Sequence, residues 1–292
     1  MALEISDNQI ITLYRYYAEA LKDLYEENEA RALARVVFDE ILGISPSRLL
    51  AEPARLLTES EILAVHFAFK DLLKGKPIQY VTGKAYFRGF ELHVEPGVLI
   101  PRPETEELAG LVIEDFKKSQ GVRILDIGTG SGCIAISLAL ELNKPIVYAI
   151  DIHEQPLSIA SQNAQKHNAS ITFLKNDILD PNAWHALPRP LDVIVSNPPY
   201  ITESEKHSMH KNVTGFEPYE ALFVPDNDPL VFYRAIARAA QLILNSGGKL
   251  YFEINEKWGN ETAHLLEKAG FCKVSVIKDF RGKERFVVAS RP

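Results

Sequence analysis

The sequence predicts an α/β fold: a mostly parallel, doubly wound sheet preceded by a small helical region. From residue 122 onward, short continuous apolar runs alternate with helical patterns, as in strands covered on both faces by crossover helices. Before about residue 75, apolar residues recur only at helical spacing. Between the two, residues 80–98 turn aromatic and β-like around Gly83 and Gly89, which predicts a hairpin connector.

Each element has its own signal. Ile10, Leu13, Tyr14, Tyr17, Leu21 and Leu24 form one helical stripe. Ala32, Val36, Phe38, Ile41 and Leu42 form a second, stopped by Gly43 and Pro46. Thr58 and Glu61 have the spacing of a capping box opening a helix over residues 62–73. The pattern changes at Lys74-Gly75-Lys76-Pro77, after which Tyr80, Val81, Tyr86, Phe87, Phe90, Leu92 and Val94 carry the hairpin. In VLIPRPETEEL (98–108), Pro103 and the acidic residues open a helix.

Strands are then predicted in VRILDIG (122–128), VYAID (147–151), ITFLKND (171–177), LDVIVSN (191–197) and GKLYFEI (248–254). Helices fall between them over residues 134–142, 157–167 and 229–243, with a further one over 261–270. FCKVSVIKD (271–279) and ERFVVAS (284–290) read as an antiparallel pair ending the sheet. The expected division is a helical domain over residues 1–76, a hairpin linker over 77–98 and the α/β domain over 99–292.

Composition narrows the function classes. With 46% hydrophobic and 24% charged residues, the 292-residue chain is not a disordered one. A formal net charge of −7 argues against a polyanion-binding role, so no stable nucleic-acid partner is expected. Cys133 and Cys272 are the only two cysteines, far apart, which is neither a disulfide framework nor a metal cluster and fits a reducing compartment. MALEISDNQI (1–10) has no apolar core for a leader, and CIAISLAL (133–140) is too short to span a bilayer. The expectation is a soluble cytoplasmic protein with no membrane partner.

Two motifs carry chemistry. The first strand runs into Asp126-Ile127-Gly128-Thr129-Gly130-Ser131-Gly132 and directly into a helix, and the second strand ends in Asp151. Glycines let backbone approach a ligand without a Cβ in the way. A dinucleotide fingerprint places its third glycine at position 133, which is Cys133; here it comes one residue early, at Gly132. This D-x-G-x-G-x-G form looks like the S-adenosylmethionine loop of Rossmann-like methyltransferases, where an acid near the ligand's ammonium is welcome. Asp177, at the third strand's end, either accepts from an adenine amino group, with Ile178 packing on the ring, or makes an Asx turn.

The second motif closes the fourth strand: Asn197-Pro198-Pro199-Tyr200. Two prolines forbid helix and stiffen the exit. An amide or exocyclic amino nitrogen is a poor nucleophile because its lone pair is delocalised. The side-chain oxygen of Asn197 and the carbonyl of Pro198 can accept its two N–H groups and aim the lone pair at a methyl sulfonium. Tyr200 offers a flat face for a planar group.

PIQYVTG (77–83), VLIPRPETE (98–106), DIGTGSG (126–132), NPPY (197–200) and FEPYEAL (216–222) occur together and in order. This set is similar to the HemK-type protein-(glutamine-N5) methyltransferases that modify peptide chain release factors, over nearly the whole chain. The resemblance implies a class I methyltransferase sheet and S-adenosyl-L-methionine as cofactor. It implies methylation of the glutamine in a release factor's Gly-Gly-Gln motif, and an N-terminal domain that docks that factor. It places the cofactor loop on Gly128, Thr129, Gly130, Ser131 and Gly132, the ribose acid on Asp151 and the adenine side on Asp177 and Ile178. The substrate clamp falls on Asn197, Pro198, Pro199 and Tyr200, with Arg102 and Glu104 near the cofactor and the transfer pocket. The sequence departs at EINEKWG (253–259), where Asn255 stands for an expected glycine; the closing DFRGKER (279–285) keeps the spacing of Asp279, Gly282 and Arg285.

Competing readings are an adenine-N6 methyltransferase of DNA or RNA, whose substrate suits the same clamp, and a cofactor-binding module without catalysis. His207 and His210 sit three apart without an acid or cysteine to complete a metal set, and read as a solvated face. Residues 201–221 form a long excursion, either a lid anchored by Glu217 and Pro218 or a plain surface loop. Thr105 and Glu106 either belong to the site or simply start a helix.

Overall fold

The computed structural model describes residues 7–292, so the leader reading of residues 1–10 rests largely on positions outside that range. The described residues form two compact units. One comprises the chain up to Lys84 together with His210–Phe216, the other Ala85–Met209 with Glu217–Pro292.

The first unit is helical. Ile10–Leu21 buries Ile10, Leu13, Tyr17 and Leu21, while Leu24 lies beyond its end and is exposed. The second helix, Glu27–Leu42, buries Ala30, Ala34, Val37 and Phe38. Of the expected stripe, Phe38 is buried and Ile41 and Leu42 pack on the core, but Ala32 and Val36 are exposed, because the i, i+4, i+7 row from Ala30 is the one that meets the core. Gly43 caps this helix in the left-handed conformation at φ +65°, but Pro46 opens a new short helix, Pro46–Ala51, at its first position rather than extending the stop. Thr58 and Glu61 form the capping box of Glu59–Leu72. Tyr17 stacks on Phe69 with ring centroids 4.1 Å apart, and its hydroxyl lies 3.2 Å from His66 Nδ1.

The hairpin is shorter than its sequence pattern. Tyr80 and Val81, expected in the hairpin, lie instead in a helix, Ile78–Thr82: Pro77 stands at its N-cap and Gly83 closes it at φ +72°. The strands are β1 (Lys84–Phe87) and β2 (Phe90–His93), joined through Arg88 and Gly89, both at positive φ, the two-residue turn that suits strand twist.

The second unit is built on seven strands: β3 (Arg123–Ile127), β4 (Ile146–Asp151), β5 (Ile171–Lys175), β6 (Leu191–Ser196), β9 (Leu244–Glu253), β10 (Cys272–Lys278) and β11 (Glu284–Ser290). Two short strands, β7 (Ile201–Thr202) and β8 (Phe223–Val224), pair separately. The sheet order is β10-β11-β9-β6-β3-β4-β5, with β5, β4, β3, β6 and β9 parallel and β11 antiparallel to both of its neighbours. Alternation sends Leu125, Ile194 and Phe252 to one face, under Val231–Ile243, and Ile124, Val193, Val195 and Tyr251 to the other, under Pro103–Phe116 and Cys133–Glu141. Chain order reverses between β3 and β6, so their carboxyl ends flank a topological switch point.

Candidate functional site

Register brings the strand ends into one row. Ile127 pairs with Ser196, Ile127 with Ile150, Asp151 with Lys175 and Ser196 with Phe252. The glycine loop, Asp151, Asn197 and Glu253 therefore all leave the same edge of the sheet. A cavity of about 680 Å³ opens there, within the range of small-molecule sites. Gly128, Gly130, Asp151, Asp177, Ile178, Asn197, Pro198 and Pro199 line it.

The glycine loop builds its part of the wall from backbone. Gly128 and Gly130 sit at φ +75° and +54°, and a Cβ on either meets nothing within 4 Å, so each leaves bare backbone facing open space. Gly132 serves packing instead: at φ +83°, its added Cβ meets the Cβ of Ala160 at 3.0 Å. Thr129 and Ser131 are buried and face inward. Thr129 Oγ1 donates to Asp126 Oδ2 at 2.7 Å. Asp126, expected beside a ligand's ammonium, is itself 1% exposed, and burial pushes its carboxyl up to about 7. Its short side chain turns in under the loop, where it supports Thr129. Asn163 secures the loop from the helix Glu154–Lys166, donating 2.9 Å to the Ser131 carbonyl and 3.0 Å to that of His93.

Asp151 Oδ2 accepts from Gly130 N at 3.1 Å and Oδ1 from His153 N at 3.1 Å. Burial raises its pKa. Each oxygen keeps a further lone pair for a ligand hydroxyl. Asp177 makes the Asx turn, accepting Leu179 N at 2.8 Å, and lines the cavity as well; the two readings are compatible. Ile178 is held beside it by Trp184 Nε1, which donates 2.8 Å to its carbonyl.

At the exit of β6, Ser196 Oγ donates to the Ile127 carbonyl at 2.7 Å, tying the two central strands. Asn197 Nδ2 donates to Thr105 Oγ1 at 3.1 Å. Among the described residues, neither Asn197 Oδ1 nor the Pro198 carbonyl accepts a hydrogen bond, and both residues line the cavity. Tyr200 packs on the core of the sheet, and its hydroxyl donates to Glu253 Oε1 at 3.1 Å. Asn255, at the expected glycine position, is 7% exposed and donates to the Tyr200 carbonyl at 3.3 Å and to Glu205 Oε2 at 3.1 Å. Burial works against ionisation of Glu205, yet bonds from Lys257, Thr202 and Asn255 hold it down at about 2.

Arg102 and Glu104 stand back from the cavity wall. Arg102 Nη2 pairs with Glu217 Oε1 at 2.5 Å, and Glu217 also accepts Ile100 N at 3.1 Å. Glu104 faces Arg281 at 3.8 Å. Glu217 thus anchors the end of the 201–221 excursion, and Pro218 beside it reaches the cavity. β7 and β8 zip that excursion's two ends together.

Sequence reasoning had no pointer to Glu253 and left Thr105 open between a site role and a plain helix start. Thr105 is 3% exposed and Glu253 1%. The missed signal was a carboxylate at the end of the apolar run GKLYF (248–252), because an unpaired charge is seldom carried into a buried strand.

Comparison with known proteins places the chain in company. The family described as "Methyltransferase small domain" matches residues 91–214, and "PrmC N-terminal domain" matches residues 12–83. The chain is similar to the release factor glutamine methyltransferase of Bacteroides thetaiotaomicron, 42% identical over 276 residues, 94% of this chain and 98% of that protein. The protein of that name from Flavobacterium psychrophilum is 41% identical over 282 residues, 95% of this chain and 98% of its own. Among solved structures, a methyltransferase from Pyrococcus furiosus shares the fold, with a TM-score of 0.53 at 21% identity, covering 76% of this chain and 96% of that one.

Proposed function

The chain belongs to the release factor glutamine methyltransferases, and on that premise we propose that Asn197 and Pro198 present the substrate glutamine to the methyl donor. The enzyme methylates the side-chain amide nitrogen of the glutamine in the Gly-Gly-Gln motif of peptide chain release factors, with S-adenosyl-L-methionine as donor. The bare backbone at Gly128 and Gly130, the acid at Asp151 and the apolar Ile178 around one cavity fit such a donor. Bound there, it supplies a methyl group made electrophilic by a sulfonium.

The observation that carries the residue roles is the pair of acceptors, Asn197 Oδ1 and the Pro198 carbonyl, without partners at the rim of that cavity. Two N–H groups of a carboxamide bonded to them would be drawn toward pyramidal nitrogen, which frees the lone pair. These two acceptors would hold the nitrogen with its lone pair toward the donor's methyl group, and because the surplus amide proton would be lost to solvent after transfer, the clamp needs no strong base. Pro198 and Pro199 fix the carbonyl's direction, and Tyr200 holds the exit against the core. Gly128 to Gly132 form the donor loop, Asp151 takes ribose hydroxyls and Asp177 with Ile178 flanks the adenine. Arg102 and Glu104 support the pocket from behind.

We also propose a division of labour. Residues 1–76 bind the release factor, residues 77–98 link, and residues 99–292 transfer the methyl group in the cytoplasm. The net charge of −7 supports the absence of a stable nucleic-acid partner. Among the described residues, no helix is long and apolar enough to cross a membrane. The test offers labelled donor with a release factor, with its Gly-Gly-Gln→Gly-Gly-Ala form, and with DNA or RNA. Label is expected only in the first; label in nucleic acid would instead select the adenine reading.

A further inference from the structure

Asn197 faces the cavity as an acceptor only if its carboxamide is held in one of two rotations of nearly equal shape. Rotated by half a turn, it would present Nδ2 to the substrate, and two donors would meet. The residues behind it decide between these states.

Thr105 Oγ1 lies 3.1 Å from Asn197 Nδ2 and 2.7 Å from Glu253 Oε2. A hydroxyl has one proton and two lone pairs. Thr105 Oγ1 donates to Glu253 Oε2, and in its ionised form, which holds above about pH 7, that carboxylate only accepts, so the Thr105 proton is then committed to Glu253. The threonine then offers Asn197 a lone pair alone, and the asparagine must answer with its NH₂. The opposite rotation would set Oδ1 against an oxygen lone pair with no proton between them. Glu253 Oε1 is occupied in the same sense by the Tyr200 hydroxyl at 3.1 Å. One buried carboxylate therefore takes the protons of two hydroxyls, that of Thr105 behind Asn197 and that of Tyr200 at the other end of the Asn-Pro-Pro-Tyr exit. Arg285, whose Nη1 donates 3.2 Å to the Ile254 carbonyl, supplies positive charge nearby.

We propose that Glu253, acting through the Thr105 hydroxyl, sets the rotation of the Asn197 carboxamide so that Oδ1 faces the substrate nitrogen. This rests on the clamp reading above. Glu253 and Thr105 are positioning residues: they lie behind Asn197 rather than on the cavity wall. Thr105 is 92 residues from Asn197 and 148 from Glu253 in the chain; they lie on the Pro103–Phe116 helix, just past the end of β6 and at the end of β9. The relay also accounts for a carboxylate buried under the clamp, where an apolar residue would otherwise be the less costly choice.

The test is steady-state methylation of a release factor by Thr105→Val, Thr105→Ser and Glu253→Gln, with donor affinity measured by calorimetry. Thr105→Val keeps the volume and removes the lone pair, and kcat is expected to fall by about ten- to a hundredfold with donor affinity unchanged. Thr105→Ser keeps the hydroxyl and recovers most of the loss. Glu253→Gln offers one acceptor to two hydroxyl protons, and a fall in kcat is expected there too. Should the valine variant not fold, the glutamine variant, of equal volume, carries the test. Unchanged kcat in Thr105→Val or Glu253→Gln overturns the inference, as does a loss that Thr105→Ser fails to repair. Failure of the wild-type enzyme to label the release factor overturns the underlying reading instead.

Discussion

The two lobes of the site lie on neighbouring strand ends and are made in opposite ways. The loop after β3 is made of backbone: glycines at positive φ leave space, and its side chains turn inward to Asp126 and the core. The exit of β6 is made of side chains and prolines, and the groups that orient it are propped by distant residues: the Asn197 Nδ2 by Thr105, the Tyr200 hydroxyl by Glu253 and the Tyr200 carbonyl by Asn255, which leaves the two acceptors toward the cavity open. A cofactor can be received by a local turn whose conformation is set by residue type. A reacting nitrogen must be met by acceptors in a fixed direction, and direction needs support from behind.

Variants of the two lobes should therefore fail differently. The largest effect is expected for Asn197→Ala: turnover falls by about a hundred- to a thousandfold, the scale of losing one preorganised polar contact. Calorimetry should show donor binding retained; wild-type turnover would remove Asn197 from the mechanism. Gly130→Ala should do the reverse. Its methyl enters the cavity from a φ of +54°, so donor affinity drops about tenfold while kcat at saturating donor stays close to wild type. Equal losses in both parameters would erase the contrast.

Gly132→Ala, at the packed end of the donor loop, should act mainly on stability. Its Cβ meets Ala160 at 3.0 Å, and overpacking of this kind costs about 1–3 kcal/mol, readable as a lower urea midpoint. Asn255→Gly restores the glycine expected from the resemblance and removes the bond to the Tyr200 carbonyl. A loss of about 1 kcal/mol and a small fall in kcat are expected.

A last contrast concerns pH. Burial pushes Glu253 up to about 7 from an ordinary 4.5, against the pull of Thr105, Tyr200 and Arg285; Glu104 faces it too. The folded state then binds a proton that the unfolded state has released, so this carboxyl's contribution falls as pH rises from 4.5 to 7. The unfolding free energy of wild type, taken relative to Glu253→Gln, should decline between those limits and level off above them. A flat difference would mean Glu253 is ionised throughout.

Much of the architecture was legible because its signals are local. Continuous apolar runs marked the parallel strands, and Gly43 with the Thr58–Glu61 box marked helix ends. Errors arose where local signals were degenerate. Ala32 and Val36 fit a helical stripe as well as Ala30 and Ala34 do, and only the neighbouring helices chose between them. Tyr80 and Val81 have strand character, yet Pro77 and Gly83 close a helical turn around them.

By itself the sequence determined the order of elements, the glycine loop and the stiff diproline exit, since each follows from the backbone preferences of adjacent residues. Tertiary structure alone decided that Asp126 turns inward, that Asn255 supports Tyr200, and that Glu253 and Thr105 stand behind Asn197. These contacts join residues far apart in the chain, and which of them meet is settled by strand register and helix packing rather than by any residue's own propensity.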